Sequence, residues 1–272
     1  MTIRLRLCIA TTVTCLVTVA DVAAQPAAAA PTSDDPSRGW TVAAGHEVFA
    51  LRDVSRNIRP VDASPIKWEG RGPAVVVRRA QGTRRASHLF DGAYARATNF
   101  TYKGPTRDVD GLSGDVASHF EGSYEYRRYF WTDLAADGLD LGVGGRALAS
   151  HVAMRRQIST LLEQSRSLTG GGAAVVLAAR LHRWPRIHLH ASWANGAVVS
   201  RRTSEHSADA LSRLITSGGN WLTELIVGGD VRLSRDLRLE LEWRSWYEGY
   251  SSDHFAYAGD RQALLIGVRY AR

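Results

Sequence analysis

Apolar and polar side chains alternate along much of the chain from about residue 40 onward. In the segment 237–244 every odd position is apolar and every even position is charged. The segments 172–183, 186–198 and 261–272 repeat this period of two. Such a period gives a β-strand one apolar face and one polar face. The pattern therefore predicts strands that separate an apolar environment from a polar one.

Ten segments of this kind follow one another, and most have the about 9 to 11 residues that a tilted strand needs to cross a membrane. They are predicted at 40–52, 67–79, 84–96, 116–128, 138–150, 172–183, 186–198, 220–233, 237–247 and 261–272. The longest apolar run after Gly39, Ala173–Ala179, is too short for a membrane helix. Strands span lipid only as a closed barrel. We therefore predict an all-β protein, a transmembrane up-and-down antiparallel β-barrel of about ten strands.

The predicted connections alternate between short and long. Short ones fall near 80–84, 130–137, 184–186 and 234–236, and long ones near 53–66, 97–115, 151–171, 199–219 and 248–260. Short periplasmic turns and long outer loops are typical of an outer-membrane barrel with both termini in the periplasm. Two long loops have apolar residues at helix-like spacing, which predicts short amphipathic helices. These residues are Met154, Ile158, Leu161 and Leu162 in one loop, and Ala208, Leu211, Leu214 and Ile215 in the other.

The eight tryptophans fall near predicted strand ends. The periplasmic ends carry Trp40, Trp131 and Trp184, and the outer ends carry Trp68, Trp193, Trp221, Trp243 and Trp246. Aromatic side chains form such girdles at both interfaces of membrane barrels. The tryptophans therefore predict two aromatic girdles on the outside of the barrel.

The segment from Gly39 to Arg272 resembles a small bacterial outer-membrane β-barrel protein. Its last strand, 263–272, is similar to the barrel-assembly signal of such proteins, with Tyr270 at the expected aromatic position. The resemblance implies an outer-membrane location and contact with outer-membrane lipid and lipopolysaccharide. It also implies assembly by the barrel-assembly machinery.

The N-terminus has the features of a secretory signal peptide. Arg4 and Arg6 precede an apolar stretch, and the small-residue segment 22–24 provides a cleavage site. We expect a signal peptide at 1–24, a flexible periplasmic leader at 25–38 and the barrel at 39–272. Both cysteines, Cys8 and Cys15, lie in the signal peptide, so the mature chain has no disulfide or thiol nucleophile.

The chain has a formal net charge of +7, and nearly all of its positive charge is arginine. Export removes it from intracellular DNA and RNA, so we expect no nucleic-acid partner. Arginines and acids share the polar faces of the predicted strands, which places both signs in the lumen. The predicted lumenal residues are Glu47, Asp91, Glu121, Glu125, Asp140, Glu224, Asp230, Glu240, Glu242, Arg78, Arg127, Arg146, Arg180, Arg232, Arg238, Arg244 and Arg269. In so narrow a barrel they predict a plugged, salt-bridged lumen, with a narrow ion path as the alternative.

Three histidines lie on one predicted hairpin. If residues 184–186 form its turn, His182 is opposite His188, His190 is opposite Arg180, and all point inward. Imidazoles in this arrangement are candidate ligands of a transition metal. Hydrogen-bonded structural histidines are the alternative, so we predict no metal and no other cofactor.

Ten strands are also the architecture of the omptin surface proteases, whose site pairs an Asp-x-Asp with an Asp-x-His from two outer loops. Here Asp108 and Asp110 flank Val109 in the second outer loop, and Glu205-His206 lies in the fourth. The resemblance implies that these groups activate water for hydrolysis. A solvated acidic loop is the alternative.

The pair His190 and Ser192 resembles the His-x-Ser of outer-membrane lipid A deacylases. A base and a nucleophile two residues apart share one face of a strand, as a hydrolase requires. The phase of this strand points both side chains into the lumen.

Our overall prediction is a barrel with a plugged polar lumen in a structural or surface-interaction role, without enzymatic activity. The alternatives are a surface hydrolase of either type and a narrow solute or ion pore.

Overall fold

A computed structural model describes most of the chain after residue 37. The described residues are 38–55, 66–83, 85–97, 99–103, 108–109, 116–134, 138–157, 163–206, 209–251 and 255–270. The first strand begins at Gly39. The predicted signal peptide and nearly all of the predicted leader lie outside the described residues. No helix among the described residues is long and apolar enough to cross a membrane.

All regular structure in the described residues is β-strand. The strands are β1 (Gly39–Ser55), β2 (Ile66–Gly82), β3 (Ala86–Ala97), β4 (Asn99–Lys103), β5 (Asp108–Val109), β6 (Val116–Leu134), β7 (Leu139–Gln157), β8 (Glu163–Leu181), β9 (Ile187–His206), β10 (Asp209–Arg232), β11 (Leu237–Ser251) and β12 (Phe255–Tyr270). Strands β3 and β4 pair with successive parts of β2 and together form one barrel strand. β5 only extends the sheet beside β4.

The sheet closes into a barrel of ten antiparallel strands. Neighbouring strands pair in chain order, and β1 pairs with both β2 and β12. The closing register places Trp40 opposite Tyr270. The predicted fold class is thereby confirmed, because the first and last strands pair and the sheet closes on itself.

Both described chain ends and four short connections lie at one end of the barrel, which we call the inner end. The opposite end is the outer end. In the connection before β7, Gly138 has a φ of 72°, a left-handed conformation that favours glycine. A Cβ there would also lie 2.9 Å from Cδ2 of His182. This glycine therefore allows a tight turn at the inner end.

Several strands extend further toward the outer end than predicted, into segments that were predicted as long outer loops. β9 has 20 residues and β10 has 24, about twice what a membrane crossing needs. The predicted helices are wrong where they are described, because Met154 lies in β7, and Leu211, Leu214 and Ile215 lie in β10. In the structure Ile215 of β10 pairs with Thr203 of β9. If 208–215 were a helix, the hydrogen-bonding groups of the β9 backbone at this point would lack these partners. The other predicted helix residues, Ile158, Leu161, Leu162 and Ala208, lie outside the described residues.

The barrel is apolar outside and polar inside, the reverse of a soluble protein. Large apolar side chains such as Val175, Leu264 and Ile266 are exposed on its outer surface, whereas carboxylates and guanidinium groups are buried within. A lipid-facing band has this composition. Trp40 and Trp221 face outward as predicted.

Trp246 is a correction to the predicted girdles. Its side chain is only 7% exposed and packs inside the barrel with Leu148, Val198 and Leu222. The physical reason is strand phase, because an even residue of β11 faces the same side as the buried Glu242. Position near a strand end therefore does not decide which face a tryptophan occupies.

Candidate functional site

The lumen contains three layers of charged side chains. In the layer nearest the inner end, Arg180 contacts Asp140 at 3.4 Å, and Arg238 contacts Asp230 at 2.5 Å. Arg238 also donates a hydrogen bond of 2.7 Å to Nδ1 of His188. Each acid of this layer therefore lies beside a guanidinium group.

Arg78 is the centre of the middle layer. It lies 2.8 Å from Asp91, 3.0 Å from Glu240 and 2.9 Å from Glu242. Arg244 contacts Asp91 at 3.1 Å and also pairs with Glu242. These contacts join β2, β3 and β11, and β11 is adjacent to neither of the other two strands. The cluster therefore reaches across the lumen.

A second cluster in the same layer joins β6, β7, β9 and β10. Glu125 accepts hydrogen bonds from Arg127 and from Arg146, the latter at 2.7 Å. Arg146 also pairs with Glu224, and Arg127 donates to Oγ of Ser192 at 3.3 Å. Glu125 and Arg146 are 2% and 5% exposed, so these charges meet each other and not solvent.

The layer nearest the outer end is built around Trp246. The guanidinium carbon of Arg261 lies 3.2 Å from the indole ring centroid, and Arg261 also contacts Glu121 and His119. Two pockets meet here and share Glu47, His119, Trp246 and Arg261 as lining residues. We call these two pockets together the outer vestibule.

The sequence missed His119, Trp246, Glu248 and Arg261 as lumenal residues. Each lies an even number of residues from a residue on its own strand that was predicted to point inward, as His119 does from Glu121. That phase is the signal that identifies them. Arg232, also predicted in the lumen, lies at the inner end of β10, where its Nε donates a hydrogen bond to the carbonyl of Ser234.

The three predicted histidines do not form one cluster. The rings of His182 and His188 are 6.5 Å apart, and His190 lies beside Glu242 at 3.5 Å. The predicted register of His190 opposite Arg180 is present. His190 instead forms a group of possible metal ligands with Glu240 and Glu242. The carboxylates of that group already contact Arg78, which disfavours adding a divalent cation.

The two predicted hydrolase sites have different positions in the fold. Asp108 lies in β5, and Glu205 and His206 end β9, but Asp110 and all four side chains lie outside the described part of the structure. Whether these groups meet stays a prediction. His190 and Ser192 share the inner face of β9, where Ser192 accepts its hydrogen bond from Arg127 and not from a described imidazole.

The chain matches no protein-family profile and no curated protein sequence. Solved structures do match its fold. The outer membrane protease OmpT from Escherichia coli is 10% identical, with a TM-score of 0.64 over 89% of this chain and 99% of OmpT. The translocator domain of the autotransporter NalP from Neisseria meningitidis is 12% identical over 96% and 95% of the two chains, with a TM-score of 0.38. At 10% identity the likeness to OmpT shows the fold alone, that of an outer-membrane β-barrel.

Proposed function

We propose that the protein is a non-conducting outer-membrane barrel that acts at the cell surface through its outer end. The observation that carries this proposal is the set of ion pairs across the lumen, such as Arg78 with Glu242 and Arg146 with Glu224. A solute crossing the barrel has to separate these buried pairs. Each separation leaves uncompensated charge and costs several kcal/mol. A stable aqueous path is therefore not expected.

The shape of the barrel supports the surface part of the proposal. β7, β8, β9 and β10 are each about twice as long as a membrane crossing requires. Roughly half of each strand is therefore available outside the apolar band. A rigid sheet that projects from the membrane is suited to contact molecules at the surface, and the outer vestibule lies toward that end.

Electrical recording tests the closed lumen. We expect purified protein in planar lipid bilayers to give no steady conductance. The double variant Arg78→Ala/Glu242→Ala, which removes opposite charges together, is expected to produce channel openings because it thins the middle layer. Arg79→Ala is the matched control, since Arg79 is the exposed, outward-facing neighbour that stacks on Trp40. Large steady conductance from the unaltered protein would contradict the proposal.

Cysteine labelling tests which end of the barrel faces the environment. Because the predicted mature chain has no cysteine, single cysteines can be placed at Asp108, Ser204, Ala135 and Arg235 without background. An impermeant maleimide added to intact cells should label only Asp108→Cys and Ser204→Cys. The other two positions are expected in periplasmic turns. Labelling of only those two would invert the topology, and equal labelling of all four would argue against an outer-membrane barrel.

A further inference from the structure

Two exposed arginines lie close together on the outside of the barrel. Arg71 of β2 and Arg96 of β3 are exposed, and the residues on both sides of each are buried, so both side chains face outward. A Cβ at Gly72 would lie 1.9 Å from the carbonyl oxygen of Arg96, which shows how closely the two strands approach here. Long side chains at such positions reach each other across neighbouring strands. We call this pair the arginine patch.

The arginine patch lies at the outer boundary of the apolar band. Arg71 is eleven residues from the inner end of β2 at Gly82, and Arg96 is ten residues from that of β3 at Ala86. With about 3.3 Å per residue and a strand tilt of about 40°, both lie roughly 25–28 Å above the inner end. An apolar band is about 25 Å tall, so the patch is at the level of the outer lipid head groups.

Exposed aromatic side chains continue from the arginine patch toward the inner end. Tyr94 and Phe120 are a cross-strand pair just below Arg96, and they are 46% and 56% exposed. Nearer the inner end, Phe90 and Tyr124 form a second pair, with ring centroids 5.0 Å apart. These rings give the surface below the patch the apolar character that hydrocarbon chains require.

A pair of glycines lies between the two aromatic pairs. Gly92 of β3 is opposite Gly122 of β6. A Cβ at Gly122 would have no neighbour within 4 Å, and the nearest to one at Gly92 would be a carbonyl oxygen at 4.0 Å. Packing within the barrel therefore does not require glycine here, in contrast to Gly72. Glycine inside a strand costs stability, and it often marks a place where a ligand approaches the backbone closely. We call this opening the glycine recess.

The charge of the arginine patch selects the head group of a ligand. A guanidinium group donates two parallel hydrogen bonds to a phosphate. A phosphate monoester carries close to two negative charges at neutral pH, which two arginines neutralise. The positive charge is local to this side of the barrel, because the outward residue at the corresponding distance from the inner end of β12 is Asp260.

We propose that the arginine patch and the glycine recess together bind one phosphorylated glycolipid of the outer leaflet, of the kind that anchors lipopolysaccharide. Arg71 and Arg96 bind a phosphate monoester of its head group. One acyl chain packs against the rings of Tyr94 and Phe120 and fills the glycine recess below them. The proposal rests on the proposed surface function, because that function places the outer end of the barrel in the outer leaflet.

Native mass spectrometry of the purified protein in a non-ionic detergent tests this proposal, with diphosphorylated lipid A as the titrated probe. We expect saturable binding of one lipid per barrel, and at least about tenfold weaker binding to Arg71→Gln/Arg96→Gln. Arg79→Gln/Arg128→Gln is the matched control, because it removes two exposed arginines from the outer surface near the inner end. The control should bind normally, and equal losses in both double variants would overturn the proposal.

Filling the glycine recess tests the part of the site that binds the acyl chain. Valine is favourable in strands, so Gly122→Val is expected to leave the barrel at least as resistant to urea as the unaltered protein. We nevertheless expect about threefold weaker binding of lipid A, because the new side chain occupies the space of the acyl chain. Unchanged binding of lipid A by this variant would overturn the role of the recess.

Matched probes identify the chemical group that is recognised. We expect fully dephosphorylated lipid A, and phosphatidylglycerol with its single phosphodiester charge, to bind at least about tenfold more weakly. Equal binding of the dephosphorylated lipid would reduce the site to an apolar surface and overturn the proposal. Displacement of lipid A by inorganic phosphate alone would indicate a site for the free ion and would also overturn it. None of these results affects conductance, so failure here is distinguishable from failure of the closed lumen.

Discussion

Replacing Glu242 by glutamine is expected to lower the free energy of unfolding by about 3–5 kcal/mol. The Glu242 side chain is 3% exposed and contacts both Arg78 and Arg244. Glutamine has nearly the same shape but no charge, so two buried guanidinium groups lose a shared carboxylate. Removing one partner of a buried ion pair is more damaging than removing both, because the remaining charge cannot reach water. Urea unfolding in phospholipid vesicles, followed by tryptophan fluorescence, measures the change.

Glu47→Gln is the matched control for this experiment. It makes the same chemical change in the same lumen, at the one predicted lumenal acid without an ion pair to a described residue. We expect its free energy of unfolding to fall by much less than that of Glu242→Gln, because no ion pair to a described residue is lost. If the two variants were equally stable, the lumenal ion pairs would contribute nothing to stability. A water-filled lumen would explain that result, and the proposal of a non-conducting, plugged lumen would then be wrong.

The barrel could be predicted from the sequence because strand phase is a local property. In 237–244 the apolar or charged character of each residue indicates which face of the strand it occupies. A shift of the strand register by one residue would put charged side chains into the apolar environment. The same argument identifies the inward side of every regular strand. The lengths of β9 and β10 could not be predicted this way, because beyond the apolar band neither face of a strand has to be apolar.

The partners within the lumen could not be predicted from the sequence. Arg78 and Glu240 are 162 residues apart, and their contact depends on how far the register shifts as the sheet closes. A local pattern places both side chains inside but does not fix their relative height. The same limit explains why His182, His188 and His190 were expected together, whereas each lies beside a different acid in the structure.

The second large effect is expected on the outer surface, where Ile266→Arg should destabilise the barrel in lipid vesicles by about 2–4 kcal/mol. Ile266 is 59% exposed and faces outward between Leu241 and Ala44 of the neighbouring strands. In water such an exposed position would accept arginine at little cost. In the apolar part of a bilayer the guanidinium group loses its hydration, and the cost is largest near the midplane.

Leu233→Arg provides the control, because Leu233 is 58% exposed but lies in the turn between β10 and β11 at the inner end. The substitution is chemically similar and the exposure nearly equal, so the two variants differ mainly in the surroundings of the new charge. We expect Leu233→Arg to change the free energy of unfolding by no more than about 1 kcal/mol, as at the edge of a membrane. The difference between the variants therefore measures burial in lipid. Equal and small effects would mean that the apolar surface of the barrel faces water or a protein partner, and the outer-membrane assignment would fail even though the barrel itself remained.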